Sequence, residues 1–189
     1  MKTLEHWVTK VYPALCKKLT PRIVRDLKAI SASGESLFLQ KAYEGSYYIF
    51  GQAGTGKTIY ACQLLMQACY QAYQKDENLS FAFINVGDFF LKIKESYDKK
   101  DLHEVDIIAH YSDLDLLILD DLGTKKTTEW SYELLYILIN RRYEQCKSTI
   151  FTSNHSLDEL VPLLGGDRIT SRIAQECSII ELTELKRKG

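Results

Sequence analysis

The chain has 189 residues, 46% hydrophobic and 26% charged, with a formal net charge of −1, which allows one well-buried core with an appendage and is too short for two full domains. The near-neutral balance gives no global attraction to nucleic acid, so any such contact has to rest on local patches. No apolar run approaches the roughly 20 residues of a membrane span, and residues 1–10 lack the apolar stretch of a secretory signal, so the expected location is the cytoplasm, with no membrane partner.

Residues 1–30 are distinctly basic, with Lys2, Lys10, Lys17, Lys18, Arg22, Arg25 and Lys28 against Glu5 and Asp26. Leu4, Trp7, Val8 and Val11, then Ile23, Val24, Leu27 and Ile30, recur at helical spacing, and Pro13 and Pro21 break the run into two short amphipathic pieces. Such pieces pack either on the core or on a partner. Residues 31–36 (SASGES) read as a linker, which divides the chain into a basic helical segment over 1–34 and a main domain over 35–189.

A β-rich run over 46–50 leads into Gly51-Gln52-Ala53-Gly54-Thr55-Gly56-Lys57-Thr58, and a long helical pattern opens at Ile59. This is a G-x-x-x-x-G-K-[ST] pattern between a strand and a helix, the context a phosphate-binding loop requires. Its glycines let backbone N–H groups turn inward, and the N-terminus of the following helix adds positive dipole at the same point. Lys57 is placed to reach the β- and γ-phosphates of ATP, and the Thr58 hydroxyl to ligate Mg²⁺.

The helix after the loop presents one apolar stripe, Ile59, Cys62, Leu65, Met66, Cys69, Tyr70 and Tyr73, and a buried parallel strand is expected over 81–86. Asp88 is the expected cap of a helix through Phe89, Phe90, Leu91 and Ile93. Lys92, Lys94, Lys99 and Lys100 lead from it into a second helix around 105–110; such a cluster is either a solvated face or a contact to a nucleic-acid backbone. Residues 114–120 form an apolar strand that ends in Asp120-Asp121 and reads as a Walker B strand. Asp120 is expected to serve Mg²⁺ through water, and Asp121 to orient an attacking water.

A periodic helix is expected over 129–146, with Leu134, Leu135, Leu138 and Ile139 on its apolar side, then a strand over 148–153. Asn154, just past that strand, reaches the γ-phosphate if the strand neighbours the Walker B strand. Ser156 and Glu159 form a capping box for a helix over 157–164 closed by Gly165-Gly166. Arg168 and Arg172 fall on one face of the next helix, and a last strand is expected over 178–182. The five cysteines, at 16, 62, 69, 146 and 177, form an odd set without a C-x-x-C pair and read as reduced thiols, not as a disulfide framework or a zinc site.

Strands alternating with helices predict an α/β fold of the doubly wound P-loop NTPase type: a five-stranded, mainly parallel sheet, helices on both faces, one strand between the two motifs, and no helical lid after the last strand. The set Gly-x-x-Gly-x-Gly-Lys-Thr, Leu-Leu-Ile-Leu-Asp-Asp-Leu-Gly, Phe-Thr-Ser-Asn and Asp-Arg-Ile-x-Ser-Arg-Ile resembles AAA+ ATPases, in particular the DnaC/DnaI-type helicase loaders and the IstB-type transposition ATPases, over residues 35–182. The resemblance implies ATP hydrolysis with Mg²⁺ and self-association in the ATP state. By it Asn154 is the sensor-1 residue, Arg172 an arginine finger offered to a neighbouring subunit, and Arg168 its accessory. It further implies a hexameric replicative helicase and single-stranded DNA as partners or, by the IstB side of the likeness, a transposase and a DNA-bound regulatory role.

Overall fold

The computed structural model describes residues 44–98, 103–124 and 126–183, with Pro21, Val24 and Arg25. Apart from those three residues, the amphipathic pieces expected before residue 34, the boundary there, and Lys99 and Lys100 lie outside the described residues. The elements run β1 (Ser46–Phe50), α1 (Lys57–Lys75), β2 (Phe81–Asn85), α2 (Val86–Ser96), α3 (Glu104–Asp113), β3 (Leu116–Leu122), α4 (Glu129–Glu144), β4 (Ser148–Ser153), α5 (Leu157–Leu164), α6 (Arg168–Glu176) and β5 (Cys177–Glu181). The five strands form one sheet in the order β2-β3-β4-β1-β5, with every neighbouring pair parallel. No described helix is long and apolar enough to cross a membrane.

The described residues fall into two compact units, one built from Gly45–Lys57 and the chain from Phe81 onward, the other containing Thr58–Ser80. In the first, Tyr48, Leu117, Leu119 and Phe151 of the sheet cluster with Phe89 and Ile93 of α2, Ile107 of α3, Leu135 and Leu138 of α4 and Ile169 of α6. The alternate strand residues Ile49, Leu116, Ile118 and Ile150 are also fully buried. Burial on both faces is why these strands read as unbroken apolar runs rather than as alternating ones. In the second unit, α1 buries Ala61, Leu64, Ala68 and Ala72 beside the expected Cys62, Leu65, Met66 and Cys69, so burial runs round most of the helix and is wider than the single stripe.

Helix ends follow local side-chain chemistry. Ser156 accepts from the Glu159 N–H, the Glu159 carboxylate accepts from the Ser156 N–H at 2.8 Å, and Gly165 closes α5 in the left-handed region at φ 87°. The cap of α2 is Asn85, not the expected Asp88: Asn85 is extended, and its Oδ1 accepts from the Gly87 N–H at 2.8 Å, so the helix starts directly off β2 and Asp88 falls inside its first turn.

Arg142 in α4 is 1% exposed. Its Nη1 donates to the carbonyls of Tyr111 (2.8 Å), Ser112 (3.1 Å) and Leu114 (2.8 Å), its Nη2 to Ser148 O (2.5 Å) and its Nε to Thr149 Oγ1 (2.9 Å). The guanidinium thereby satisfies orphan carbonyls at the C-terminus of α3, where a cation is also favoured by the helix dipole, and ties α3 and α4 to the start of β4. Arg142→Met should lower stability by about 3–5 kcal/mol, because the carbonyls lose a buried charged partner, which is roughly 10 °C in the melting temperature for a chain of this size. Arg142→Lys should recover only part of that, since an ammonium cannot reproduce the planar fork. Thermal denaturation followed by circular dichroism checks both, and an Arg142→Met protein melting with the wild type would contradict the assignment.

Candidate functional site

The phosphate-loop sequence leaves the sheet where β1 ends. Gly51 has φ 148°, and a Cβ there would lie 2.2 Å from Leu182 O, so both its backbone and its surroundings require glycine. Its N–H donates to Ser153 O at 3.3 Å, and Leu182 N–H donates to Phe50 O at 2.7 Å, which pins the start of the loop between β4 and the end of β5. Within the loop the Thr55 hydroxyl donates to Gln52 O at 2.9 Å. The buried Lys57 ammonium donates to Gly51 O and Gln52 O, each at 2.8 Å. Burial lowers the Lys57 pKa, and the carboxylates of Asp121 and Asp120 act against that shift.

Those carboxylates arrive on β3. Asn85 stands opposite Asp120 across the β2–β3 pair. On the other side β3 and β4 run in register to Leu119↔Phe151 and then slip to Leu122↔Ser153, so β3 carries one residue more than β4. Asp121 absorbs it at φ 62°, a left-handed conformation that costs a non-glycine residue on the order of 1 kcal/mol or more. Surrounding hydrogen bonds hold it there. Thr152, fully buried on β4, donates its hydroxyl to Asp120 Oδ1 at 2.7 Å and accepts the Asp121 N–H at 2.9 Å. Asn85 Nδ2 donates to Asp121 Oδ2 at 3.0 Å, and Thr124 Oγ1 donates to Asp121 O at 2.8 Å. Gly123 follows at φ 80°, a left-handed conformation that favours the glycine of Asp-Asp-Leu-Gly, and it packs against the Leu160 side chain of α5.

Asn154 is exposed, one residue past the end of β4, and β4 does lie between β1 and β3. Its loop is tied on both sides. Ser153 Oγ donates to Leu122 O at 2.7 Å and accepts from the His155 N–H at 3.1 Å, while Tyr48 of β1 donates its phenol to His155 O at 2.7 Å. Burial pushes the Tyr48 phenol up to about 12, so it keeps the proton it donates. Asp121 also borders a cleft of about 510 Å³ that includes Asn85, Phe90, Lys94, Lys126 and Trp130. Lys94 Nζ lies 5.4 Å from the centre of the Trp130 ring.

The structure brings residues 51–57, Asp120, Asp121 and Asn154 to the carboxyl ends of three adjacent strands, and Thr58 follows Lys57 in the first turn of α1. It does not bring the two arginines there. Arg172 lines a small cavity with Ser46, Thr149 and Cys177, residues at the starts of β1, β4 and β5, a full five-residue strand, or about 16 Å, from the phosphate loop. Arg168 lies over Tyr136 of α4, 5.8 Å from the ring centre. Asn85, Thr152 and Tyr48 join the site without belonging to its short motifs; Thr152 carries one sequence signal, its place in Phe-Thr-Ser-Asn two residues before Asn154.

A family model described as "IstB-like ATP binding protein" matches residues 14–184, nearly the whole chain. The chain belongs to this family. Over 128 residues it is 23% identical to the replicative helicase loader DnaC of Escherichia coli (strain K12), a match that covers 68% of this chain and 49% of that protein, so the chain spans about half the length of the DnaC relatives it matches. Its fold is that of a crystal structure of the DnaC helicase loader, with a TM-score of 0.63 and 24% identity over 86% of this chain and 89% of that one. It is also that of the replication initiator DnaA bound to AMPPCP and single-stranded DNA, with a TM-score of 0.58 and 22% identity over 84% and 44% of the two chains. The P-loop NTPase fold and the AAA+ group of DnaC and IstB relatives are thereby established.

Thr152 supplies a direct test of the site. Thr152→Val keeps shape and removes the hydroxyl, leaving a buried carboxylate and a buried N–H each short of a partner, at about 1–3 kcal/mol for each group. The expected outcome is a lower melting temperature together with weaker Mg²⁺-dependent nucleotide binding, measured by calorimetric titration, whereas Thr152→Ser should restore both. A valine variant that binds as the wild type does would show that the hydroxyl does not order the two acids.

Proposed function

We propose that this protein binds and hydrolyses ATP with Mg²⁺, self-associates in the ATP state, and acts as a replicative helicase loader on single-stranded DNA. The observation that carries the nucleotide part is the convergence of the phosphate loop, the Asp120–Asp121 pair and the Asn154 loop at adjacent strand ends. The donor set fits the group: Thr58 and Asp120 offer the hard oxygen ligands Mg²⁺ prefers, and the loop offers backbone N–H groups and Lys57 to the phosphates. Bound there, Mg²⁺ neutralises charge on the β- and γ-phosphates. Lys57, at present on two loop carbonyls, exchanges them for phosphate oxygens. Asp121, held by Asn85 and by its own strained backbone, orients the attacking water, and Asn154 completes the polar wall beside the γ-phosphate.

Arg172 is the arginine finger, with Arg168 as its accessory. Its position a strand length from its own loop supports action on the nucleotide of a neighbouring copy. The loader role rests on similarity to DnaC, and the DnaA structure with single-stranded DNA supports that nucleic-acid form. The cleft holding Lys94 and Trp130 beside Asp121 has the cation and aromatic surface a single strand needs. Residues 1–34, with their basic excess, are the segment proposed to dock on the helicase. The match to the IstB-like family favours a second reading, a transposase-associated regulatory scaffold on duplex DNA in which ATP is a polymerisation switch. ATP-dependent filaments on duplex DNA without helicase association would select it.

Lys57→Ala should abolish ATP binding, whereas Asp121→Asn should bind ATP and lose turnover. Arg172→Ala should also bind ATP yet hydrolyse it slowly, and mixing it with Lys57→Ala subunits should restore hydrolysis, because their intact Arg172 serves the competent pockets of their neighbours. Calorimetric titration with ATP reads binding in each variant, and steady-state phosphate release across a range of protein concentrations reads turnover. A wild-type rate per subunit that is independent of concentration, with no rescue in the mixture, would remove Arg172 from the role.

A further inference from the structure

Arg172 is partly exposed, yet α4 holds its side chain on two sides. Its Nε donates to Asn140 Oδ1 at 3.2 Å, and its guanidinium carbon lies 4.6 Å from the centre of the Tyr143 ring, both residues belonging to α4. The flat face and the inner nitrogen are therefore engaged, while Nη1 and Nη2 have no partner among the described residues. Those two nitrogens form the edge that binds a phosphate bidentately.

The two holding groups are themselves fixed. Asn140 donates Nδ2 to Glu144 Oε1 at 2.8 Å, an i, i+4 contact that settles which way the amide faces and turns Oδ1 toward the arginine. The Tyr143 hydroxyl donates to Gln175 Oε1 at 3.0 Å, tying the ring to α6, the helix that carries Arg172. Arg168, four residues earlier on α6, has the contact over Tyr136 but no corresponding side-chain hydrogen bond among the described residues, and it is exposed.

We infer that Asn140 and Tyr143, with Glu144 behind Asn140, are positioning residues that hold the Arg172 guanidinium with its terminal edge free for the phosphates of a neighbouring copy's nucleotide. The inference rests on the reading of Arg172 as a finger acting between copies. It extends that reading by assigning the selection of the rotamer to α4: the arginine is pre-oriented before a neighbour arrives, so its side-chain freedom is not lost at the moment of association.

The test uses the full chain and a double-mutant cycle. Asn140→Ala and Tyr143→Leu should each lower kcat by about 10- to 100-fold, the loss expected for a group misplaced by an ångström or so, with KM for ATP and the melting temperature close to wild type. Tyr143→Phe, which keeps the ring face, should retain most of the rate. In an Arg172→Ala background neither substitution should lower kcat further, a non-additivity that a merely structural role would not produce. Retention of ADP–aluminium fluoride in oligomers, followed by sedimentation, gives a readout independent of turnover and should fall in parallel. If Arg172→Ala is impaired in both assays while Asn140→Ala and Tyr143→Leu are not, or if their effects add to that of Arg172→Ala, positioning is overturned and the finger stands. If Arg172→Ala behaves as the wild type in both assays, the finger reading fails and the positioning role fails with it.

Discussion

One buried hydroxyl joins the parts of this molecule that carry its chemistry. Thr152 sits on β4, between the strand that feeds the phosphate loop and the strand that ends in two acids, and it bonds to both of those acids. Because it donates to the side chain of Asp120 and accepts from the backbone of Asp121, it orders one carboxylate and supports the left-handed turn that redirects the other. Two neighbouring aspartates on a regular strand would point to opposite sides of the sheet. The extra residue in β3, made tolerable by Thr152, Asn85 and Thr124, lets the second acid leave that alternation.

The same strand order explains why the site needs so few residues. With β4 inserted between β1 and β3, three loops open at one end of the sheet, and short contacts stitch them together: Gly51 to Ser153, Ser153 to Leu122, and Tyr48 to His155. Each lies across a strand boundary and ends on a backbone carbonyl, so the positions of the phosphate loop, the acids and Asn154 are coupled through neighbouring strands of the sheet. Functional groups on rigid strand ends lose little entropy when a ligand arrives.

What the sequence made legible was chemistry confined to consecutive residues. The phosphate loop, Asp120-Asp121 and the Ser156–Glu159 cap declare themselves because glycine, lysine, acid and hydroxyl stand at fixed short spacings. Asn85, Thr152 and Tyr48 were opaque, since their partners lie 36, 32 and 107 residues away and meet them only through strand register and crossover. The arginines show the same limit. Arg142 reads as one more charge on an amphipathic helix, yet it is buried and its donors are spent on four carbonyls and a threonine hydroxyl, whereas Arg172, thirty residues on, keeps its terminal edge free among the described residues. Side-chain type is legible in both cases; whether the terminal nitrogens are consumed or left open is set by packing between α3, α4 and α6.

The proposed function puts a Mg²⁺-nucleotide where β1, β3 and β4 end. Amide hydrogen exchange of the full chain, with and without a slowly hydrolysed ATP analogue and Mg²⁺, tests it most directly because it reports each loop separately and requires no turnover. Exchange should slow over residues 51–58 together with residues 120–124 and 153–155, and the second and third effects should be lost when Mg²⁺ is withheld. Unchanged exchange over residues 51–58, or protection confined to the cleft around Phe90 and Trp130, would contradict it.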